Sequence, residues 1–335
     1  MERRHADIHG IATAVAALQD GKLVAFPTET VYGLGADATN DRAAARIFKA
    51  KGRPRFNPLI VHAPDACAHK AWARFDERAE HLIKAFWPGE LTLVLPRHED
   101  AAVSRLISAG LDTIAVRSPN HPVAQRLLRE VRCPVAAPSA NRSGLLSPTT
   151  ADHVIASLGN SIELVLDGGA CSGGLESTVV SLTGETPTLL RPGLITRREI
   201  EAVIGNIAVA SGETAVEAPG MLPNHYAPHA RVRLNAGDSE QDGEVLLAFG
   251  AATGCGYSAV LNLSEAGDLV EAAANLFRML HDLDGLNPVF IAVSPVPAKG
   301  LGVAINDRLR RAAAQCRQPS QRRSAGSADF PGQQP

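Results

Sequence analysis

Between residue 7 and about residue 205 the chain alternates short apolar runs with stretches of helical spacing, and glycine, proline or hydroxyl residues punctuate the changes. That alternation constrains the fold most, because period-2 and period-3.6 segments must pack on one another in layers. The runs Leu23–Pro27, Leu59–His62, Leu91–Pro96, Thr113–Arg117, Val135–Ala137, Leu164–Asp167, Thr178–Ser181 and Thr188–Arg191 read as strands. Residues 8–19, 41–50, 76–85, 121–131, 149–157 and 196–204 read as helices; in the first, Ile8, Ile11, Val15 and Leu18 recur on one face. A strict strand–helix–strand rhythm is missing. The pattern therefore predicts an α/β or α+β fold and argues against a doubly wound parallel sheet.

From 206 to 230 the periodicity stops, and Gly212, Pro219, Gly220, Pro223 and Pro228 mark a linker. Residues 231–317 form a second, smaller α/β unit. Its expected strands are Val245–Phe249, Ala259–Leu263 and Val289–Val293, with helices over about 267–284 and 303–315. The expected organisation is thus a domain over 1–205, a linker over 206–230, a small domain over 231–317 and a disordered Gln-, Ser-, Gly- and Pro-rich tail over 318–335. Lys299-Gly300-Leu301-Gly302 precedes the last helix. Ile305 stands where a dinucleotide-binding fingerprint needs a third glycine, so a tight turn is expected there.

A net charge of −2 argues against a chain devoted to wrapping nucleic acid. Only nine Phe, two Trp and three Tyr are present, too few for a base-stacking platform. The five cysteines form no CxxC pair, so neither a disulfide framework nor a zinc knuckle is expected. The apolar stretch Ile11–Leu18 is too short to span a bilayer, which takes about 20 residues, and a cytoplasmic protein without a membrane anchor is expected.

Charge is concentrated where the total conceals it. Arg42, Arg46, Lys49, Lys51, Arg53 and Arg55 follow one another with no acidic residue between them. Such a run is an ordinary solvated helix face unless something shapes its end. Gly52, Pro54 and Pro58 do so, placing Lys51, Arg53 and Arg55 on a loop suited to a polyphosphate. Four further clusters combine turns with hydrogen-bonding groups: Pro27-Thr28-Glu29-Thr30-Val31-Tyr32-Gly33-Leu34-Gly35, the strand end at His62, Ala137-Pro138-Ser139-Ala140-Asn141-Arg142-Ser143-Gly144, and Ser177-Thr178 with Arg191-Pro192-Gly193. Each has a plain structural alternative. The first could be a strand–turn–helix with Asp41 as N-cap, His62 a satisfied structural histidine, the third a set of Asx turns and Arg191 a surface residue.

PTETVYGLG, KGRPRFNPLIVH, SANRSG, STVV and RPG in this order resemble the YrdC-type threonylcarbamoyl-AMP synthases. Asn224-His225-Tyr226-Ala227-Pro228, followed by a small α/β domain, resembles that family's long, two-domain branch. The resemblance spans about residues 8–316. It implies a twisted, open mixed sheet with helices around a cationic concave cavity, plus a smaller Rossmann-like α/β domain. It further implies the conversion of L-threonine, bicarbonate and ATP, the last with Mg2+, to threonylcarbamoyl-AMP and pyrophosphate. A separate tRNA threonylcarbamoyl transferase would consume the product. Threonine would lie near Thr30, His62, Arg117, Ala137 and Ser177. ATP would be held by Lys51, Arg53, Asn57, Thr113, Ser139, Asn141, Ser147, Arg191 and Tyr226, with His225 beside the last; Lys51 and Arg53 would be catalytic. The family pattern leaves the metal ligands unspecified.

The chemistry is consistent with those residue types. A carbamate and a triphosphate repel one another, so fixed cations and alignment are required, and no protein nucleophile is. The linker, with His-Tyr between prolines, is expected to fold over the cavity mouth as a lid that excludes water. Two alternatives stand beside this one. A double-stranded RNA-binding module could use the Arg42–Arg55 run, and weak RNA binding stays open. A carbamoyl-phosphate-using hydrogenase maturation factor contains a similar domain, but its zinc-finger regions do not match the cysteine pattern here.

Overall fold

The computed structural model describes residues 1–210, 226–237, 243–251 and 256–314. Eleven strands of the first part form one mixed sheet: β1 (Glu2–His5), β2 (Val24–Phe26), β3 (Gly33–Asp37), β4 (Ile60–His62), β5 (Leu91–Pro96), β6 (Thr113–Arg117), β7 (Val135–Ala136), β8 (Leu164–Asp167), β9 (Thr178–Ser181), β10 (Thr188–Arg191) and β11 (Ala208–Val209). Their order across the sheet is β1-β8-β2-β3-β7-β4-β6-β5-β9-β10-β11, with parallel and antiparallel neighbours intermixed. The second part folds as an α/β unit around four parallel strands, β12 (Arg231–Leu234), β13 (Glu244–Ala248), β14 (Val260–Asn262) and β15 (Phe290–Val293), in the order β12-β15-β13-β14. Helices Leu269–Asp284 and Gly302–Ala314 pack beside it.

Strand periodicity explains how the large sheet produces both a core and a site. Val61, Leu93, Leu95, Ile114 and Val116 face the main core with helices Asp41–Lys51, Glu77–Phe86 and Arg197–Ile204. Their alternating neighbours Ile60, Val94 and Ala115, joined by Val179 and Leu190, make a separate small apolar patch on the other face. Farther along the same face, Val135 and Ala137 join Val24, Phe26 and Leu164 in a second core against helices Ile8–Gln19 and Pro122–Val131. Beside that core, Ile60 of the patch lines a cavity.

Every strand expected in the first part is present, with ends shifted by a residue at most. Four strands lack a readable signal. β1 and β12, with sequences ERRH and RVRL, show little apolar alternation, and β11 is two residues long inside the stretch whose composition reads as linker. β3 contains glycine for a packing reason: a Cβ at Gly35 would lie 2.9 Å from Cε1 of Phe26 and 3.2 Å from the Val24 carbonyl. Asn40, not Asp41, caps the following helix, its side chain accepting from the Arg42 and Ala43 amides. Asp41 instead lies in the first turn, where its charge favours the helix N-terminus. The glycines at 300 and 302 make the expected tight turn: Gly300 has φ +52°, and a Cβ on Gly302 would lie 1.9 Å from the Pro297 carbonyl.

The two parts meet where Gly174 lies under the helix Leu269–Asp284. A Cβ there would fall 2.5 Å from the carbonyls of both Ala273 and Ala274, and φ is +70°. Gly174→Ala is therefore expected to lower stability by about 2 kcal/mol or more, combining left-handed strain with a backbone clash. Gly250→Ala, at a matching φ of +72° but with nothing within 4 Å, controls for the strain alone and is expected to lose about half as much. Urea unfolding of the two variants measures the difference; equal losses would show that the close approach is unimportant.

Candidate active site

Five strand ends converge on one cavity with an empty volume of about 450 Å³. Parallel register sets His62 at the end of β4 beside Arg117 at the end of β6. Thr30 comes from the turn between β2 and β3, Ala137 and Ser139 from the segment after β7, Ser177 from the start of β9 and Arg191 from the end of β10. Arg53 and Tyr226 complete the lining. Nine of the expected residues are thus brought together, along with Glu176, which the sequence analysis did not single out.

The other expected residues stand behind or beside that lining. The Lys51 ammonium donates to the Ser139 and Asn141 carbonyls. It thereby shapes the loop that carries both residues. Asn141 donates from Nδ2 to the Arg142 and Leu145 carbonyls at 2.9 and 2.8 Å, while its Oδ1 is buried without a partner. Asn57 is fully buried with both amide heteroatoms unpaired, an arrangement that calls for a ligand or water. The Ser147 hydroxyl donates to Oε1 of Glu176. Thr113 lies outside the cavity lining, at the other end of β6 from Arg117 but on the same face by strand alternation. Arg55 is exposed, so the loop turns two of its three cations inward and one to solvent. The helix ends at Lys51 because Gly52 adopts a left-handed φ of 60°, which sends Arg53 back under the sheet. His225 lies outside the described residues, as do most of the linker (211–225) and the tail.

The electrostatics are those of a site awaiting anions. The Arg53 guanidinium donates to the carbonyls of Asn57 at 3.1 Å and Pro58 at 2.8 Å. Carbonyls orient such a group without neutralising it. Burial, with Arg191 nearby, pulls the Arg53 pKa down to about 9. Burial and the Arg53 charge lower that of Lys51 well below its ordinary value, and burial likewise lowers that of Arg191, which donates to the Ser177 carbonyl and hydroxyl. Burial is also the main cause of the strongly lowered His62 pKa, with Arg117 adding to it, so the imidazole is neutral; its Nδ1 lies 3.2 Å from the Ile60 carbonyl.

Arg117 is held from three directions. Nε donates to the Gly89 carbonyl (3.1 Å), Nη1 to the Thr30 hydroxyl (2.9 Å) and Nη2 to Oε1 of Glu29 (2.6 Å). A guanidinium has five N–H donors, so two remain for a carboxylate. Glu29 was present in the first motif yet carried no signal of its role, because nothing local in the sequence pairs it with a residue 88 positions away.

Behind Arg117, His69 is wedged between Trp72 and Trp87 and donates from Nε2 to the Arg117 carbonyl at 3.0 Å. Burial lowers its pKa to about 4. An unfolded histidine takes up its proton near pH 6.5 and this one only near 4, so the unfolded state binds more protons between those values. Stability is expected to fall as pH drops from 7 to 5, by about 2 kcal/mol from this group. Urea unfolding at the two pH values tests this: His69→Gln should reduce the loss by about 2 kcal/mol, while His62, His153 and His281, whose pKa values burial also lowers, keep their share; an unchanged loss in the variant would contradict it.

Comparison with known proteins extends over both parts. The Sua5–YciO–YrdC family model, described as "Telomere recombination", matches residues 16–193. A model described as the threonylcarbamoyl-AMP synthase C-terminal domain matches residues 195–314. The threonylcarbamoyl-AMP synthase of Pyrococcus abyssi is 45% identical over 320 residues, covering 90% of this chain and 93% of the relative. That of Bacillus subtilis is 43% identical over 321 residues, covering 90% and 92%. The crystal structure of P. abyssi Sua5 complexed with L-threonine superposes with a TM-score of 0.86 at 41% identity, over 93% of this chain and 97% of that one.

Proposed function

The chain belongs to the Sua5–YciO–YrdC family in its two-domain form, and from that premise we propose how its residues divide the work. The activity is that of a threonylcarbamoyl-AMP synthase: L-threonine, bicarbonate and ATP give threonylcarbamoyl-AMP and pyrophosphate. One observation carries the assignment of residues. A single cavity sets a carboxylate-binding arginine, Arg117, against two buried arginines suited to phosphate, Arg53 and Arg191, with hydroxyls between them.

In this proposal the threonine carboxylate takes the two free N–H groups of Arg117, and Thr30, Ser177 and the neutral His62 meet the hydroxyl and amine. Ala137 keeps that end of the cavity small. The triphosphate lies along Arg53 and Arg191, with Ser139 and Asn141 on a loop that Lys51 holds in shape. Asn57 gains the partner it lacks, Ser147 helps hold the Glu176 carboxylate in place, and the adenine lies over Ile60 toward Thr113. The threonine nitrogen, once deprotonated, attacks the bicarbonate carbon with loss of water. A carbamate oxygen then attacks the α-phosphorus, and pyrophosphate leaves with its bond electrons. Fixed cations offset charge on both partners throughout.

Among the described residues no three His, Cys, Asp or Glu side chains gather as a metal site, and the cavity is mainly cationic. In this proposal Mg2+ enters with the substrate, as MgATP, where phosphate oxygens and water supply most of its ligands. We assign the product to a separate tRNA threonylcarbamoyl transferase and the reaction to the cytoplasm. No described helix is long and apolar enough to cross a membrane.

Tyr226 supports the lid proposal from its own position. It is buried in the cavity wall with φ +64°, against Phe277 of the second domain. Tyr226→Ala is expected to weaken ATP binding on the order of tenfold through lost aromatic contact and water exclusion. Unchanged ATP affinity and turnover would end the lid reading. The activity is tested by incubating the protein with ATP, Mg2+, bicarbonate and each amino acid in turn. Pyrophosphate should appear preferentially with threonine; equal release with every amino acid would defeat the assignment.

A further inference from the structure

We propose that Arg308, on the last helix of the second domain, is a positioning residue that neutralises and fixes Glu176 beside the phosphate-binding arginines and thereby makes the second domain part of the ATP site. This rests on the assignment of Arg53 and Arg191 to ATP.

Four consecutive residues run from the domain seam into the cavity. Gly174 lies under helix Leu269–Asp284, and Leu175 is buried in the second domain's core cluster. Glu176 lines the cavity, and Ser177 holds Arg191. Glu176 is the anomaly among them, a carboxylate 6% exposed in the wall of a cavity built to receive a triphosphate. Left alone it would repel the phosphates or pair with Arg191, whose titration already responds to its charge.

The structure answers with Arg308, only 1% exposed. Its Nε donates to Oε2 of Glu176 at 2.9 Å, while Oε1 takes the Ser147 hydroxyl, so both carboxylate oxygens are engaged. Nη1 of Arg308 reaches the Pro192 carbonyl at 2.8 Å and Asp307 at 2.9 Å. Its Cζ stands 5.2 Å from the centre of the Tyr226 ring. One guanidinium therefore joins the carboxylate, the turn after Arg191 and the linker tyrosine. An ion pair with the second domain is what offsets the catalytic domain's negative charge in the cavity wall.

The test is equilibrium binding of ATP by calorimetry to the full chain and to Arg308→Gln, Glu176→Gln and the double variant, with Arg310→Gln, an exposed neighbour, as control. Arg308→Gln should weaken ATP binding by about 30-fold or more, because it removes the cation paired with a buried carboxylate that faces the phosphates. Threonine binding, read separately, should change little. The double variant should return ATP affinity to within about fivefold of the original, because both charges are gone. A purely structural role predicts instead that Arg308→Gln loses threonine and ATP binding in parallel, and a role independent of charge that the double variant is no better than Arg308→Gln. Either of those results, or ATP affinity unchanged in Arg308→Gln, overturns the proposal. Threonine-dependent pyrophosphate release by the unaltered protein is scored on its own, so loss of the functional assignment is distinguishable from loss of this one.

Discussion

Arg117→Gln is expected to reduce threonine-dependent pyrophosphate release by about 1,000-fold or more, with the threonine KM rising and ATP binding retained. The side chain is nearly fully buried, and Gly89, Thr30 and Glu29 fix it at the end of β6 beside His62. A neutral amide cannot offer the planar pair of N–H groups that a carboxylate takes from arginine. The single variant also leaves Glu29 buried without its counter-charge, a defect that costs about 3–5 kcal/mol in comparable pairs. Stability and function must therefore be separated. The double variant Arg117→Gln, Glu29→Gln should recover much of the unfolding free energy while remaining inactive. If it regained threonine turnover, Arg117 would be a structural residue and the assignment of the carboxylate end would fail.

Arg53→Met should act in the opposite sense on stability. Its charge is buried, the Asn57 and Pro58 carbonyls orient it, and its pKa is drawn down to about 9, so the folded protein bears the cost of a desolvated cation. Replacing it with an apolar side chain of similar length is expected to leave the ligand-free protein at least as stable. ATP affinity, by contrast, should fall by about 100-fold or more, because a fixed cation facing the triphosphate is gone. Urea unfolding and calorimetry together measure the two effects. A parallel loss of stability and affinity would mean that Arg53 serves the fold first.

How much of this is legible in the sequence depends on the distance over which each feature is encoded. Strands such as Leu91–Pro96 and Thr113–Arg117 are visible because alternation is local, and the Gly52 helix stop is visible because one residue type dominates left-handed conformations. The site residues are visible as hydroxyls, amides and cations at strand ends and turns, which is where a sheet can deliver them. β1 and β12 are hidden because their neighbours, not their own composition, make them strands. Glu29, Glu176 and Arg308 are hidden because their meaning lies in partners 88 and 132 positions away. Asp41 was the natural N-cap by residue type, yet Asn40 one position earlier has the extended backbone that a cap requires. Long-range pairing of buried charge has no one-dimensional signature.

The most direct test of the central claim follows the carbon. The protein is incubated with ATP, Mg2+, L-threonine and 13C-labelled bicarbonate, and the nucleotide product is weighed by mass spectrometry. The account predicts an adenylate of threonylcarbamoyl composition that carries the labelled carbon, formed with one pyrophosphate per molecule and lost in Arg117→Gln. An adenylate without the label, or one formed equally well from serine or valine, would contradict it.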